Sequence, residues 1–166
     1  MARRSELARL ALDDILETPK GLEVSIRRSK TDQDARGATV ALPSSSNPLL
    51  DPVRLTRAWR DDLAARGVTT GALLRVIDRN GNLTHAMQPS SINTVVRRVV
   101  AYAQLPNPGT YSAHSLRAGG LTSALEAGVP LGVAAAHGRW SPKSPVVIQY
   151  ARTADQWRDN AMRGVL

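Results

Sequence analysis

His114 and Arg117 lie three residues apart in the stretch from Ser112 to Tyr150, SAHSLRAGGLTSALEAGVPLGVAAAHGRWSPKSPVVIQY. Ser112 is of N-cap type, and Ala113 to Ala127 reads as a helix stopped by Gly128. On such a helix, residues three apart project from one face. Both are expected in the first turn, where free backbone N–H groups and the helix dipole favour an anion. A proton carrier, a cation and a helix N-terminus brought together suit a phosphate. Gly119 and Gly120, just behind, would let another backbone approach closely. Further along, Trp140 has an indole N–H to donate, and Tyr150 has a hydroxyl that becomes a nucleophile once its proton is taken.

Composition limits what could surround these residues. The 166-residue chain is long enough for one domain with a proper core. It is 42% hydrophobic but only 4% aromatic, with no Phe, so that core must be aliphatic. A net charge of +8 and a pI of about 11.0 suggest a polyanionic partner, most simply nucleic acid, although a basic surface with no partner would read the same. The absence of cysteine excludes disulfides, thiolate metal sites and cysteine nucleophiles. No carboxylate cluster suggests a metal, and no cofactor is expected. No apolar run approaches membrane-spanning length and no signal peptide is visible, so a cytoplasmic protein without a membrane partner is the expectation.

The elements that must position the chemistry follow in order. Met1 to Leu12, MARRSELARLAL, has helical spacing at Leu7, Leu10 and Ala11. Asp13 to Pro43 reads as a small antiparallel sheet: Ile15–Thr18, a turn at Pro19-Lys20-Gly21, Leu22–Ile26, and Ala38–Leu42 ended by Pro43. Between the last two lies a polar loop, Arg27 to Gly37. After a linker at Ser44–Leu50, Asp51 to Ala65 reads as a helix with Val53, Leu55, Ala58, Trp59 and Leu63 as candidate core. Leu73–Ile77 reads as a short strand followed by a turn at Asp78-Arg79-Asn80-Gly81. Pro89 to Leu105 reads as a helix with Ile92, Val95, Val96, Val99 and Val100 on one broad face and Arg97 and Arg98 on or beside the other. Val129–Ala136 is a short apolar helix with His137 near its end, and Thr153 could cap a last helix to about Met162. The fold class is α+β, mostly helical, with a small three-stranded antiparallel sheet.

The ordered set His114-Ser115-Leu116-Arg117, Gly138-Arg139-Trp140 and Tyr150 resembles the tyrosine recombinases, the phage-integrase and Cre-like family, with H-x-x-R, then His or Trp, then a Tyr. Arg3-Arg4-Ser5-Glu6-Leu7 resembles the family's first arginine motif, with Arg3 at the catalytic arginine position, Arg4 as the neighbour that could take it, and Glu6 as a supporting acid. Lys30, in the loop between the strands, matches the family's catalytic lysine. Trp140 matches the His/Trp position, with His137 as the alternative. The resemblance spans residues 1–166 as a catalytic domain whose N-terminal core-binding domain and first helix are absent.

The resemblance implies site-specific recombination or integration through a 3′-phosphotyrosyl intermediate on double-stranded DNA, by a homo-oligomer, a tetramer on DNA. Arg3 and Arg117 would grip the non-bridging phosphate oxygens, His114 would exchange a proton with Tyr150 or bond the phosphate, Lys30 would protonate the departing 5′ oxygen, and Trp140 would pack the site. Neither metal nor nucleotide is required. Other readings are a DNA-binding remnant without catalysis, a type IB topoisomerase relative, and a basic helical interaction protein. Covalent trapping on nicked DNA and supercoil relaxation separate the first two from a recombinase.

The segment Ala154 to Leu166 carries Trp157, Met162, Val165 and Leu166, with Trp157 and Met162 five apart rather than on one clean stripe. The resemblance implies that it docks into a neighbouring protomer on DNA; a segment closing its own monomer's core would cover Trp157 equally well. Hydrogen exchange over 154–166 is expected to show weak protection in the free chain and strong protection on DNA. Strong protection without DNA would end the docking expectation.

Overall fold

Alternation of apolar and polar residues, punctuated by glycine and proline, builds the sheet where the sequence predicts it. The computed structural model describes residues 1–27, 37–141, 144–150, 162 and 164. They divide into two compact units, Arg4–Ile92 and the combination of Met1–Arg3 with Asn93–Leu166. The class is α+β, mostly helical, with a three-stranded antiparallel sheet and a separate two-stranded one.

In the unit Arg4–Ile92, β1 (Ile15–Thr18), β2 (Gly21–Ile26) and β3 (Ala38–Pro43) pair in that order, antiparallel throughout. Along β2, Leu22, Val24 and Ile26 point to a core shared with Leu10, Ile15 and Val53, while Glu23 and Ser25 face water. Gly21 has φ +142°, and a Cβ there would stand 2.1 Å from the Leu42 carbonyl oxygen, so only glycine lets β3 close on the β1–β2 turn.

The first helix is much shorter than its spacing predicts: α1 is only Arg4–Leu7. Beyond it the chain turns so that Leu73 N–H donates to Leu10 O (2.8 Å) and Leu12 N–H to Gly71 O (2.9 Å), with Ala11 bridged to Ala72. These tertiary backbone bonds replace the i→i−4 ladder, and Leu10 and Leu12 are both buried.

Helix α2 (Pro52–Ala65) is capped by Asp51, which accepts from the N–H groups of Val53 (3.4 Å) and Arg54 (3.2 Å). The Ser45 N–H foremost, then those of Arg54 and Val53, holds the Asp51 carboxyl below the usual carboxylate range. Val53 and Leu63 are buried as expected, but Leu55 and Ala58 are exposed. The inward stripe includes Arg60 instead, which donates to the carbonyls of Leu12 and Ile15 at 2.7 Å each. Trp59 is half-buried and donates its indole N–H to Leu73 O at 2.7 Å. The predicted strand Leu73–Ile77 shortens to β4 (Arg75–Ile77), and its partner β5 (Leu83–Ala86) was not foreseen. Asp78 organises the turn by accepting from Asn80 and Asn82.

Helix α3 (Pro89–Tyr102) stops three residues short of the predicted end. Ile92 and Val100 are buried, but Val95 and Val99 are 42% and 61% exposed, because the apolar face is broader than the buried stripe. In the second unit, α4 (Ala113–Glu126) and α5 (Leu131–Gly138) pack through Leu121, Leu125, Ala134 and Ala135, joined by Val147 from the helical residues 145–150. Pro130 shifts the start of α5 past the predicted Val129, since the residue before a proline is pushed out of helical geometry. Gly119 has nothing within 4 Å of its would-be Cβ, and at Gly120 the neighbour is the Met1 side chain, so the expected close backbone approach does not occur. Thr153 and the proposed last helix fall outside the described residues, apart from Met162 and Gly164.

Leu121 is fully buried among these helices. Leu121→Ala is expected to lower unfolding free energy by about 2–5 kcal/mol, read from denaturant midpoints at unchanged slope. A loss under about 1 kcal/mol would contradict this packing.

Candidate active site

Helix α4 starts as the sequence predicts. Ser112 Oγ accepts from the Ser115 N–H (3.3 Å), and Ser115 Oγ accepts from the Ser112 N–H (2.7 Å), a reciprocal box. Asn93, on α3, accepts the Ala113 N–H through Oδ1 at 3.0 Å, and Arg97 Nε donates to Tyr111 O at 3.3 Å. The chain's own caps therefore occupy much of the helix N-terminus that the sequence offered to an anion. His114 lies in the first turn and is exposed; Arg117 begins the second turn and is buried. The two share a helix side but not an environment.

Arg117 is the organising residue of this unit. Its side chain is 5% exposed. Its guanidinium lies over the Trp140 ring with Cζ 3.8 Å from the centroid. One terminal nitrogen donates to the Met1 carbonyl and the other to the Gly138 carbonyl. A buried guanidinium is costly unless its N–H groups are satisfied, and a planar aromatic face adds cation–π attraction. Gly138 is required for this stack, because a Cβ there would lie 1.9 Å from Trp140 Cζ3. Arg139 follows at φ +56°, the turn that swings Trp140 back over the helix.

Trp140 and Tyr150 both pack against the cluster of Leu121, Leu125, Ala134, Ala135 and Val147. Pro145 opens the short helix carrying Tyr150, where its missing N–H costs nothing, and Ile148 N–H donates to Ser144 O at 3.1 Å. His137 is half-buried in the last turn of α5, and it is Trp140 that meets Arg117. Arg3 belongs to this same unit and is half-buried, two residues after the Met1 carbonyl.

Glu6 belongs to the other unit, on α1, and is 4% exposed. It lines a cleft of about 220 Å³ with Arg9, Leu10, Asp14, Ser25, Ile26 and Arg27, at the base of the β2–β3 hairpin. Lys30 lies outside the described residues. The structure thus groups Arg3, His114, Arg117, Trp140 and Tyr150 in one unit and brings Arg117 directly onto Trp140. Sequence reasoning missed Asn93, the Met1 carbonyl, Asp14 and the steric role of Gly138. Only Gly138 had a signal, its place immediately before Arg-Trp. Among the described residues no group of three His, Cys, Asp or Glu side chains could hold a metal, and no helix is long and apolar enough to cross a membrane.

Gly138→Ala and Trp140→Ala are each expected to destabilise the chain, the first by expelling the ring and the second by stripping the guanidinium of its cover. In the double variant there is no ring left to clash, so the combined loss in unfolding free energy falls short of the sum of the singles. Additive losses would show that Gly138 does not act through Trp140.

Comparison with known proteins adds an independent line. No family model matches the sequence. Over 125 residues, 75% of this chain, it is 30% identical to an integrase/recombinase XerD homolog of Selenomonas ruminantium. The chain spans 36% of that relative's length. With this likeness and the ordered arginine, tryptophan and tyrosine in one unit, the chain belongs to the tyrosine recombinase family.

Proposed function

We propose that this chain cleaves and rejoins double-stranded DNA in site-specific recombination or integration, through a 3′-phosphotyrosyl intermediate, as a tetramer on DNA. The observation that carries the reading is the buried Arg117 cation, fixed on Trp140 in the unit that also holds Tyr150. The basic surplus of +8 and the relative named as an integrase/recombinase support the choice of DNA.

A phosphodiester resists attack because nucleophile and target both carry or develop negative charge. A tyrosine hydroxyl, with an ordinary pKa of about 10, is a poor nucleophile until its proton leaves and the phosphorane charge is stabilised. Arg117 and Arg3 take that second task, because charge-assisted donors strengthen as charge develops on the non-bridging oxygens. Two carbonyls and an indole hold Arg117 in place before substrate arrives, so little reorganisation is needed at the moment of reaction. His114, exposed in the first turn of α4, exchanges a proton with the Tyr150 hydroxyl or bonds a phosphate oxygen. Tyr150 Oη bonds to phosphorus, the bond to the 5′ oxygen breaks, and Lys30 delivers the proton that oxygen needs. Trp140 packs the site and Glu6 supports it. The phosphotyrosyl bond conserves the energy of the broken diester, so rejoining needs no nucleotide.

Tyr150→Phe is expected to abolish covalent adduct on nicked duplex DNA while leaving DNA retention in a gel unchanged. Adduct formed by the Phe variant would move the nucleophile to Tyr102 or Tyr111. A wild-type chain that binds but never forms adduct would be a DNA-binding remnant of the family.

A further inference from the structure

Helix α3 reaches the start of α4 at two points. Asn93 Oδ1 accepts the Ala113 N–H at 3.0 Å, and Arg97 Nε donates to Tyr111 O at 3.3 Å. Asn93 and Arg97 are four residues apart on α3 and so share one side of it. Their backbone targets flank Ser112, the N-cap of α4. All of these residues belong to the unit that holds Tyr150.

Capping alone does not call for Asn93. The box between Ser112 and Ser115 is local, and it satisfies the Ser115 N–H. It leaves the Ala113 N–H, the first of the helix. Ala113 is 6% exposed, so without Asn93 that donor would be buried and unsatisfied. Because the acceptor comes from α3, the bond also ties α4 to a second helix at its first residue. The link between the two helices turns through Gln104 and Asn107, both at left-handed φ (54° and 52°), and its Thr110 hydroxyl donates back to Asn107 O within the link itself.

His114 follows Ala113 in the same turn, and its side chain is exposed. Among the described residues no hydrogen bond orients its imidazole, so the ring's direction depends on the backbone that carries it. A reacting group works when it is held within about 0.5 Å and 10–20° of its productive geometry. The bonds from α3 fix the backbone on which that tolerance depends.

We propose that Asn93, with Arg97 beside it, is a positioning residue for His114 in the proton exchange or phosphate contact assigned to that imidazole. This rests on the role given to His114 above. The test uses the full 166-residue chain and a nicked duplex selected for adduct formation from a pool of randomised sequence, at saturating DNA. Sulfur replaces the 5′ bridging oxygen at the cut position, because the thiolate leaves readily and returns poorly, so adduct from slow variants accumulates.

Asn93→Leu keeps the volume and removes the acceptor; Asn93→Asp keeps an acceptor oxygen. The Leu variant is expected to slow adduct formation roughly tenfold, part of the ~10²–10⁴-fold that a positioned proton carrier contributes, and the Asp variant to restore most of the rate. In a His114→Ala background Asn93→Leu is expected to cause no further loss, because no imidazole is left to position. Arg97→Leu, at an exposed side chain, carries the same comparison if Asn93→Leu does not fold. An equal loss with and without His114, or no loss at all, overturns the proposal. Should His114→Ala form no measurable adduct, the ring NMR signals of His114 in the free chain decide: Asn93→Leu is expected to shift them, and unchanged signals overturn the proposal. If His114→Ala runs at the wild-type rate, the His114 role fails and this inference with it. A wild-type chain inert on every duplex ends both readings.

Discussion

A buried guanidinium is the constraint on which the unit containing Tyr150 depends. Arg117 lies on α4, its two named carbonyl partners come from Met1 and Gly138, and its aromatic cover comes from Trp140. Those partners lie as much as 116 residues of chain away from Arg117. Satisfying one cation thus recruits the start of the chain, the end of α5 and the turn after it. The carbonyls and the π face offset part of the desolvation of the cation.

In the other unit, two carboxylates are each answered by an arginine. Asp14 holds Arg27, and Glu17 holds Arg57 with Nε–Oε2 at 2.9 Å. The Arg57 hydrogen bond keeps the Glu17 carboxyl below its ordinary range. At the surface such a pair contributes little to stability, since water screens it. At Asp14, which is 4% exposed, that screening is reduced on the carboxylate's side while Arg27 stays in water.

The boundaries of the three-stranded sheet were legible because two local signals coincide in them: alternation along Leu22–Ile26 and Ala38–Leu42, and punctuation at Gly21 and Pro43. The N-cap at Ser112 was legible for the same reason, a local hydrogen bond that depends on one residue type. The first helix was not, because its apolar spacing was genuine but distant backbone partners at Gly71 and Leu73 decided the conformation. Helix faces were half legible. Periodicity finds the stripe on α2 and α3 but not its edges, so Leu55 and Ala58 were placed in the core while Arg60 was overlooked, and the broad apolar face of α3 leaves Val95 and Val99 exposed. The burial of Arg117 could not be read at all, since nothing local says that carbonyls 116 and 21 residues away will meet it. The order of the motif residues pointed to the family, whereas the contact that holds Arg117 came only from the fold.

One apolar cluster carries both halves of the arrangement. Val147 is fully buried against α4 and α5, and Tyr150 follows it by three residues, one turn along the same short helix. Trp140 packs against that cluster too and lies under the Arg117 guanidinium. The positions of the hydroxyl-bearing ring and of the cation are therefore referred to one set of aliphatic side chains, Leu121 and Leu125 above all. Interiors packed at crystal-like density transmit displacements rather than absorbing them. A shift of α5 against α4 would move Trp140, and with it the cover of Arg117, together with the seat of Tyr150. An aliphatic core in a chain that lacks phenylalanine is thus more than filling: it registers the tyrosine and the arginine to each other through the same few contacts.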